Sequence, residues 1–227
     1  MSVRSRNSSR GRTTGRRSWA LAVSLALLAL ACTDATAQEA TPAAPAPAPW
    51  SLGASAYAYF VPDEDDYIQP TFRADRDRLH LEARYNYEDL HTASMWIGWN
   101  LRAGNSVALK FTPIAGVVFG NTRGFAPGYE GSLGWRALEL YSESEYVFDL
   151  DEDADSYFYS WSQLTVAPVE WGELGLVVQR TRAYESEREL QRGLLLGVSH
   201  GGGSLSAIVF NPDEDRPLVV VAAALEF

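Results

Sequence analysis

Strict alternation of polar and apolar residues is the feature that most constrains the fold of this chain. In the stretch RLHLEARYNY, residues 78–87, every even position is polar or charged and every odd position is apolar or aromatic. A period of two places alternate side chains on opposite faces of a β-strand. The stretch is therefore predicted to be a strand with one apolar face and one face that carries both signs of charge.

The same rhythm continues from Trp50 to Phe227, and no helical periodicity in that range is longer than a turn. It predicts twelve strands, at 50–60, 66–74, 78–88, 90–101, 106–119, 127–135, 137–149, 156–167, 173–184, 190–199, 203–211 and 216–227. Such a series is typical of one all-β domain. We predict an antiparallel up-and-down meander of about twelve strands, with ten as the alternative.

The connections between these strands alternate in kind. After the first, third, seventh, ninth and eleventh strands they are acidic and mostly longer, as in VPDEDDY, whereas after most even-numbered strands they are short, as in DRDR. The exception is the connection after the fifth strand, GNTRGFAPG, which is long and basic. Odd and even connections of a meander lie at opposite ends, so acidic loops are predicted at one end of a closed barrel and tight turns at the other.

Aromatic residues are predicted to form a belt near each end of this barrel. The belt at the turn end comprises Trp50, Phe72, Trp99, Trp135, Trp171 and Phe227, and the belt at the loop end comprises Phe60, Tyr87, Phe119, Tyr129, Phe148, Tyr157 and Tyr184. Two belts separated by small and aliphatic residues are typical of a barrel that spans a bilayer. The predicted fold class is therefore a transmembrane antiparallel β-barrel.

The first 37 residues have the features of a secretory signal peptide. Six arginines without an acid precede an apolar run at 19–31, and Ala35-Thr36-Ala37 is a small-x-small cleavage site. Two alternatives stay open, a twin-arginine signal at Arg16-Arg17 and lipidation of Cys32 in a loose lipobox. The next segment, 38–49, is predicted to be a disordered Ala/Pro-rich linker, which leaves 50–227 as the barrel domain.

Removal of the signal peptide changes the charge balance. It contains six of the 19 Lys and Arg residues and one of the 29 Asp and Glu residues, so 13 basic and 28 acidic residues remain, a net charge of −15. That balance argues against nucleic acid as a partner. The one cysteine leaves as well, so the exported chain has neither a disulfide nor a cysteine metal site.

The end of the chain carries a resemblance to a known class. In PLVVVAAALEF the terminal Phe227 is preceded at alternate positions by Leu225, Ala223, Val221 and Val219. This strand resembles the C-terminal recognition strand of Gram-negative outer-membrane β-barrel proteins, although Ala223 and Leu225 stand where bulkier aromatics are common. The resemblance implies an outer-membrane location, the barrel assembly machinery as a partner, and an assembly signal at Phe227, Leu225 and Ala223. We expect a monomer that contacts outer-membrane lipid and lipopolysaccharide.

The polar strand faces are predicted to line the barrel lumen. The candidates carry both signs of charge and are Arg73, Arg78, His80, Glu82, Arg84, Lys110, Glu130, Glu139, Glu143 and Glu145. One hypothesis is a narrow porin-like channel for small solutes or ions, whose charged walls select what passes. The alternative is a structural or surface-interaction barrel, in which these charges pair and close the lumen and the acidic loops form the binding surface.

Three short motifs resemble chemical sites but lack the context that such sites need. Residues 197–201 fit G-x-S-x-G, yet a strand pattern follows and no later histidine completes a triad. Ser94 lies three residues after His91, whereas the outer-membrane phospholipase pattern has two. The acidic run 149–155 lacks the glycine and glutamate of an EF-hand. We therefore expect no enzyme, with a lipid hydrolase as the least favoured function, and no cofactor or metal site, although acidic loops leave open a loose role in binding divalent ions.

Overall fold

The structure, a computed structural model, describes residues 48–151, 156–180 and 190–227. The predicted signal peptide lies outside these residues, as do most of the predicted linker and Tyr184. Within the described ranges, no helix is long and apolar enough to cross a membrane.

The described residues form thirteen strands of one antiparallel sheet. They are β1 (Ser51–Phe60), β2 (Tyr67–Arg76), β3 (Leu79–Tyr85), β4 (Thr92–Trp99), β5 (Leu101–Ala103), β6 (Ala108–Gly120), β7 (Gly124–Trp135), β8 (Leu138–Asp149), β9 (Tyr157–Val169), β10 (Gly172–Arg180), β11 (Leu190–His200), β12 (Gly203–Phe210) and β13 (Leu218–Glu226). Neighbouring strands pair in sequence order and β1 pairs with β13, so the sheet closes into a barrel.

β4 and β5 are two parts of one barrel strand. Both pair with β6 in a single register, which runs from Thr92 opposite Gly120 to Ala103 opposite Leu109. The interruption falls at Asn100, whose side chain turns into the interior and is buried. The described part of the chain therefore forms a closed barrel of twelve strands, which confirms the fold class predicted from the alternation.

β3 shows how the alternating pattern positions side chains. His80, Glu82 and Arg84 point inward and are buried, whereas Leu81 and Tyr85 point outward and are exposed. A closed barrel satisfies its backbone hydrogen bonds without leaving an open edge, so its outer face can contact hydrocarbon. The charged face of the strand is thereby placed in the lumen.

The outer face of the barrel is apolar around its circumference. Met95 and Ile97 on β4 are 61% and 58% exposed, and Leu194 and Leu196 on β11 are 53% and 67% exposed. An apolar surface of this extent is unfavourable in water and is typical of a barrel that spans a bilayer. The chain thus has the architecture of a transmembrane β-barrel.

The aromatic belt at the turn end agrees with the sequence pattern, because all six predicted members are exposed: Trp50, Phe72, Trp99, Trp135, Trp171 and Phe227. At the loop end Phe60, Phe119 and Phe148 are exposed as predicted. The placement of Tyr87 and Tyr157 in that belt is wrong, because both side chains contact groups inside the barrel. The outward position beside Tyr157 belongs to Phe158, which is 40% exposed.

Tyr129 lies on the outer wall but within a polar cluster instead of a belt. Its hydroxyl is 3.3 Å from Ser142 Oγ on β8, and Ser142 Oγ is 2.9 Å from Ser162 Oγ on β9. Ser144 Oγ approaches the Tyr129 hydroxyl at 3.5 Å. Because these hydroxyls bond one another, their polarity is satisfied without water.

Short turns lie at one end of the barrel and acidic connections at the other, as predicted, with one correction. The turns 77–78, 136–137, 170–171 and 201–202 have two residues each, and the acidic connections 61–66 and 211–217 are at the other end. The connection after β6 is only 121–123, so the prediction of a long basic loop there is wrong. Strand pairing extends further than the pattern indicates, since Gly124 already pairs with both Val118 and Asp149.

Candidate functional site

Apolar side chains pack together inside the barrel toward its loop end. Tyr59, Tyr159, Trp161, Ile208 and Phe210 form the centre of this cluster, which we call the aromatic plug. Trp161 meets Tyr57 and Phe210 edge to face, at centroid distances of 6.0 and 5.8 Å. Edge-to-face packing is the favoured geometry for aromatic pairs, so the plug is a packed core and not a loose lining.

A second apolar cluster lies on β4, β6, β7 and β8 and contains Trp96, Ile114, Val118, Ala126 and Val147. Gly116 makes room for the Trp96 indole, because a Cβ at this glycine would lie 2.5 Å from a ring atom of Trp96.

Arg84 is the centre of a buried charged cluster beside these apolar groups. Its Nε lies 2.8 Å from Glu82 Oε1, and its Nη1 lies 2.8 Å from Glu145 Oε2 on β8. Glu130 and Glu88 lie 3.7 and 3.8 Å from the guanidinium. Since β3 and β8 are not adjacent in the sheet, the pair of Arg84 and Glu145 crosses the lumen. We call Arg84 and these four glutamates the charged cluster.

The guanidinium of Arg84 also packs on aromatic rings. Its Cζ lies 4.3 Å from the ring centroid of Tyr87 and 4.6 Å from that of Trp96. Cation–π contacts of this kind stabilise most when they are desolvated. Only 2% of the Arg84 side chain is exposed, so the hydrogen bonds and the ring contacts act together to hold it.

The connection 86–91 between β3 and β4 folds into the barrel, and we call it the inward loop. Asn86 and His91 both have left-handed backbones, with φ of 54° and 57°. The backbone N–H of Asn86 donates to the carbonyl oxygen of Thr92 at 2.8 Å, and the backbone N–H of His91 donates to Asn86 Oδ1 at 2.8 Å. This tight closure directs Tyr87 and Glu88 toward the interior.

Hydrogen bonds hold Glu88 inside the barrel. Ser94 Oγ and Trp96 Nε1 donate to its Oε1 at 2.6 and 3.2 Å, and the Tyr157 hydroxyl donates to its carbonyl at 2.6 Å. Burial raises the pKa of this carboxyl above its ordinary value, while Arg84 opposes the shift. The acidic sequence of this loop predicts a solvated surface instead, so sequence analysis missed Glu88.

Tyr87 is the second inward group of this loop. Its hydroxyl donates to Glu143 Oε1 and lies 3.2 Å from the Tyr159 hydroxyl. Burial, reinforced by the nearby Glu143 carboxylate, raises the pKa of Tyr87 well above its ordinary value. Tyr87 therefore stays protonated and joins the inward loop to β8 and to the aromatic plug.

His80 lies in a separate chain of polar contacts. Its Nδ1 is 2.9 Å from Asp75 Oδ1, and its Nε2 is 3.2 Å from Glu82 Oε2. Asn100 Nδ2 donates to the same Asp75 oxygen at 2.5 Å, and Thr112 Oγ1 donates to Asn100 Oδ1 at 2.8 Å. Asp75 and Glu82 therefore hold the imidazole in one orientation, and Asn100 and Thr112 hold Asp75 in turn.

Two cavities of about 220 Å³ each lie inside the barrel. Both are lined by Ser55, Thr71 and Arg73, so they meet at these residues. The first cavity is acidic, since among the described residues it is lined by one guanidinium, that of Arg73, and by the carboxylates of Glu82, Glu130, Glu139, Glu143 and Glu173. The second is nearer the turns and includes Asp75, Arg102 and Lys110.

The predicted luminal residues fall into three groups. His80, Glu82, Arg84, Glu130 and Glu145 are buried. Arg73, Lys110, Glu139 and Glu143 line the cavities. Arg78 lies in the exposed turn 77–78, because β3 begins one residue later than its alternation indicates.

The structure adds Asp75 and Glu173 to this set, besides Glu88. Asp75 continues the inward series of Gln69, Thr71 and Arg73, so alternation alone could have identified it. Glu173 lies at the start of β10 and lines the first cavity.

The short chemical motifs have structural roles. Ser94 faces the interior and donates to Glu88, whereas His91 lies exposed in the inward loop, so the two do not form a catalytic pair. Ser199 and His200 end β11, and Gly201 and Gly202 form the hairpin turn with φ of 58° and 83°. The acidic run 149–155 lies partly outside the described residues.

No protein-family model and no curated protein matches this sequence. Among solved structures, the chain is similar to one described as "KdgM porin in complex with disordered oligogalacturonate". The two share 9% sequence identity, the match covers 77% of this chain and 98% of the other, and the TM-score is 0.49.

Proposed function

We propose that this protein is a narrow channel of the Gram-negative outer membrane that passes small solutes or ions and prefers cations. The observation that carries the proposal is the acidic cavity of about 220 Å³ inside the barrel, which the described residues line with five carboxylates and one guanidinium. Charged walls in a confined space concentrate ions of the opposite sign. A lumen lined in this way favours cations over anions.

The charged cluster and the inward loop form the constriction of this channel. Arg84 bridges Glu82 and Glu145 across the lumen, and Tyr87 joins the inward loop to Glu143. These contacts narrow the passage where it approaches the loop end. A solute that passes this point must be small.

Three features support the outer membrane as the location. They are the predicted signal peptide, the apolar outer wall with its aromatic borders, and the terminal strand in which Leu225 and Phe227 are 59% and 72% exposed. In this proposal the terminal strand, with Phe227, Leu225 and Ala223, is recognised by the barrel assembly machinery. The outer wall contacts membrane lipid and lipopolysaccharide.

Ion conductance of the purified, folded protein in planar bilayers tests the channel. A closed barrel is recognised beforehand by different gel migration of unheated and boiled samples. We expect discrete steps and a reversal potential in a salt gradient that indicates cation preference. Glu139→Gln and Glu173→Gln should each reduce that preference, while Asp213→Asn, which removes an exposed loop charge, should leave it unchanged.

Two results would contradict the proposal. Folded wild-type protein that never conducts would exclude a constitutive channel. Steps whose selectivity is the same in Glu139→Gln, Glu173→Gln and wild type would exclude the acidic cavity as the selective element.

The second candidate is a closed barrel whose acidic loops form the working surface. The observation that favours it is the aromatic plug, in which Phe210 is fully buried and Trp161 is 4% exposed. A wild-type protein without conductance, together with a Trp161→Ala variant that conducts, would identify this barrel.

A further inference from the structure

We propose that His80, Glu82 and Glu130 bind a divalent transition-metal ion inside the barrel, with Zn²⁺ as the best match. One ligand atom of each residue lies within 4.8 Å of the others, and all three residues are buried. One imidazole nitrogen and two carboxylate oxygens form a donor set that zinc accepts. The site does not depend on whether the lumen conducts.

The environment of His80 is the strongest reason for this assignment. With Nδ1–H donating to Asp75, the other ring nitrogen, Nε2, points at Glu82 Oε2 from 3.2 Å. In a neutral imidazole this would place a lone pair against a carboxylate oxygen, so a proton or a metal ion must lie between them. Either a second proton on His80 or a metal ion can fill that role.

The contacts around His80 are those of a metal ligand. A histidine that binds a metal usually donates its other ring N–H to a carboxylate, which fixes the ring and raises its basicity. Asp75 has this position, and Asn100 holds the same Asp75 oxygen at 2.5 Å. Asn100 lies there because it continues the inward series of Ser94, Trp96 and Gly98 on β4.

The distances fit zinc with little movement. Two ligands of a tetrahedral zinc, each at about 2.05 Å, lie about 3.3 Å apart, close to the 3.2 Å between His80 Nε2 and Glu82 Oε2. Glu130 then needs to approach by no more than about 1.5 Å, since all the ligand atoms are within 4.8 Å. Glu130 is 3.7 Å from Arg84, beyond hydrogen-bond distance, so this contact leaves it able to rotate.

Charge and access also favour a cation at this place. Arg84 engages Glu82 mainly through Oε1, at 2.8 Å, and approaches Oε2 only at 3.4 Å, which leaves Oε2 for the ion. Glu82 and Glu130 both line the acidic cavity, so an ion can enter from it and water there can supply a fourth ligand. Among the described residues, carboxylates outnumber guanidinium groups around this point, and a divalent ion offsets that excess.

Zinc titration of the folded protein in detergent, against a chromophoric chelator, tests the site. We expect about one zinc ion per barrel. Asp75→Asn should lower zinc affinity about ten- to a hundredfold, as the loss of a supporting carboxylate does, and His80→Gln and Glu130→Gln should lower it further. Glu139→Gln is the matched control, because it removes a carboxylate from the same cavity without touching the three ligands, and it should bind zinc as wild type does.

Cobalt substitution in the wild-type protein gives a test that needs no variant to fold. Co²⁺ at these three ligands should show the strong visible absorption of a four-coordinate site. A spectrum identical to that of Co²⁺ in buffer, zinc far below one equivalent, or full zinc affinity in folded Glu130→Gln would overturn the proposal. In those cases His80 is held between its carboxylates by a second proton.

Discussion

Replacing Arg84 with methionine should remove a large share of the stability of the barrel. Methionine keeps much of the aliphatic volume but removes the guanidinium, which leaves Glu82 and Glu145 buried without the partner that each meets at 2.8 Å. Breaking a buried ion pair in this way costs about 3–5 kcal/mol. Protonation of the orphaned groups limits the loss, since protonating a carboxyl of pKa about 4.3 at pH 7 costs about 3.7 kcal/mol. We therefore expect the free energy of unfolding to fall by about 3–5 kcal/mol at pH 7.

Urea titration of the protein in lipid vesicles measures this loss through intrinsic tryptophan fluorescence, to which Trp96 beside the guanidinium contributes. Arg192→Met is the matched control, because that side chain is 73% exposed and pairs with Asp213 at the loop rim. An exposed pair of this kind is worth about 0–1 kcal/mol. Adding Glu82→Gln and Glu145→Gln to Arg84→Met should recover part of the loss, since the orphaned charges are then absent.

The reasoning is refuted if Arg84→Met unfolds at the same urea concentration as Arg192→Met. Unchanged unfolding with altered ion flow would mean that Arg84 contacts the permeating ion and does not hold the lumen together.

Three further predictions follow from individual contacts. Gly116→Ala should cost about 1–3 kcal/mol of unfolding free energy, because the new methyl group would lie 2.5 Å from Trp96. Gly134→Ala, whose new methyl group has its nearest neighbour at 4.0 Å, should be nearly neutral in the same urea assay. Equal losses in the two variants would contradict the close contact at Gly116. Glu88 has a raised pKa in the folded protein, so the folded state binds more protons than the unfolded chain above the ordinary value of 4.5. Stability should therefore fall as pH rises from 4.5 toward neutral, and Glu88→Gln should flatten that slope; an unchanged slope would exclude Glu88 as its source. Trp161→Ala should cost about 3–5 kcal/mol and increase ion conductance, and a variant with wild-type conductance would show that the aromatic plug does not restrict the passage.

Some luminal residues could be predicted from the sequence because their position depends on local geometry. The side-chain period of a strand is two, so the placement of Glu82 and Arg84 on one face requires no knowledge of distant residues. The same rule reaches Asp75, which continues the inward series of its strand.

Other residues could not be placed in this way, because their position depends on long-range contacts. Tyr87 is predicted in the outer aromatic belt and Glu88 in an acidic loop, and only their contacts with Glu143, Ser94 and Trp96 bring them inside. Arg78 follows the alternation of its strand, yet the hairpin turn places it in solvent.

The sequence by itself determined the closed β-barrel, the sorting of loops and turns to opposite ends, and which face of most strands is polar and lines the lumen. These are consequences of period-two alternation and of the order of connections, and both are local properties of the chain. The tertiary structure decided which charges meet across the lumen. Arg84 reaches Glu145, 61 residues away, and Glu130 comes near His80, only because strand register and barrel closure set those distances.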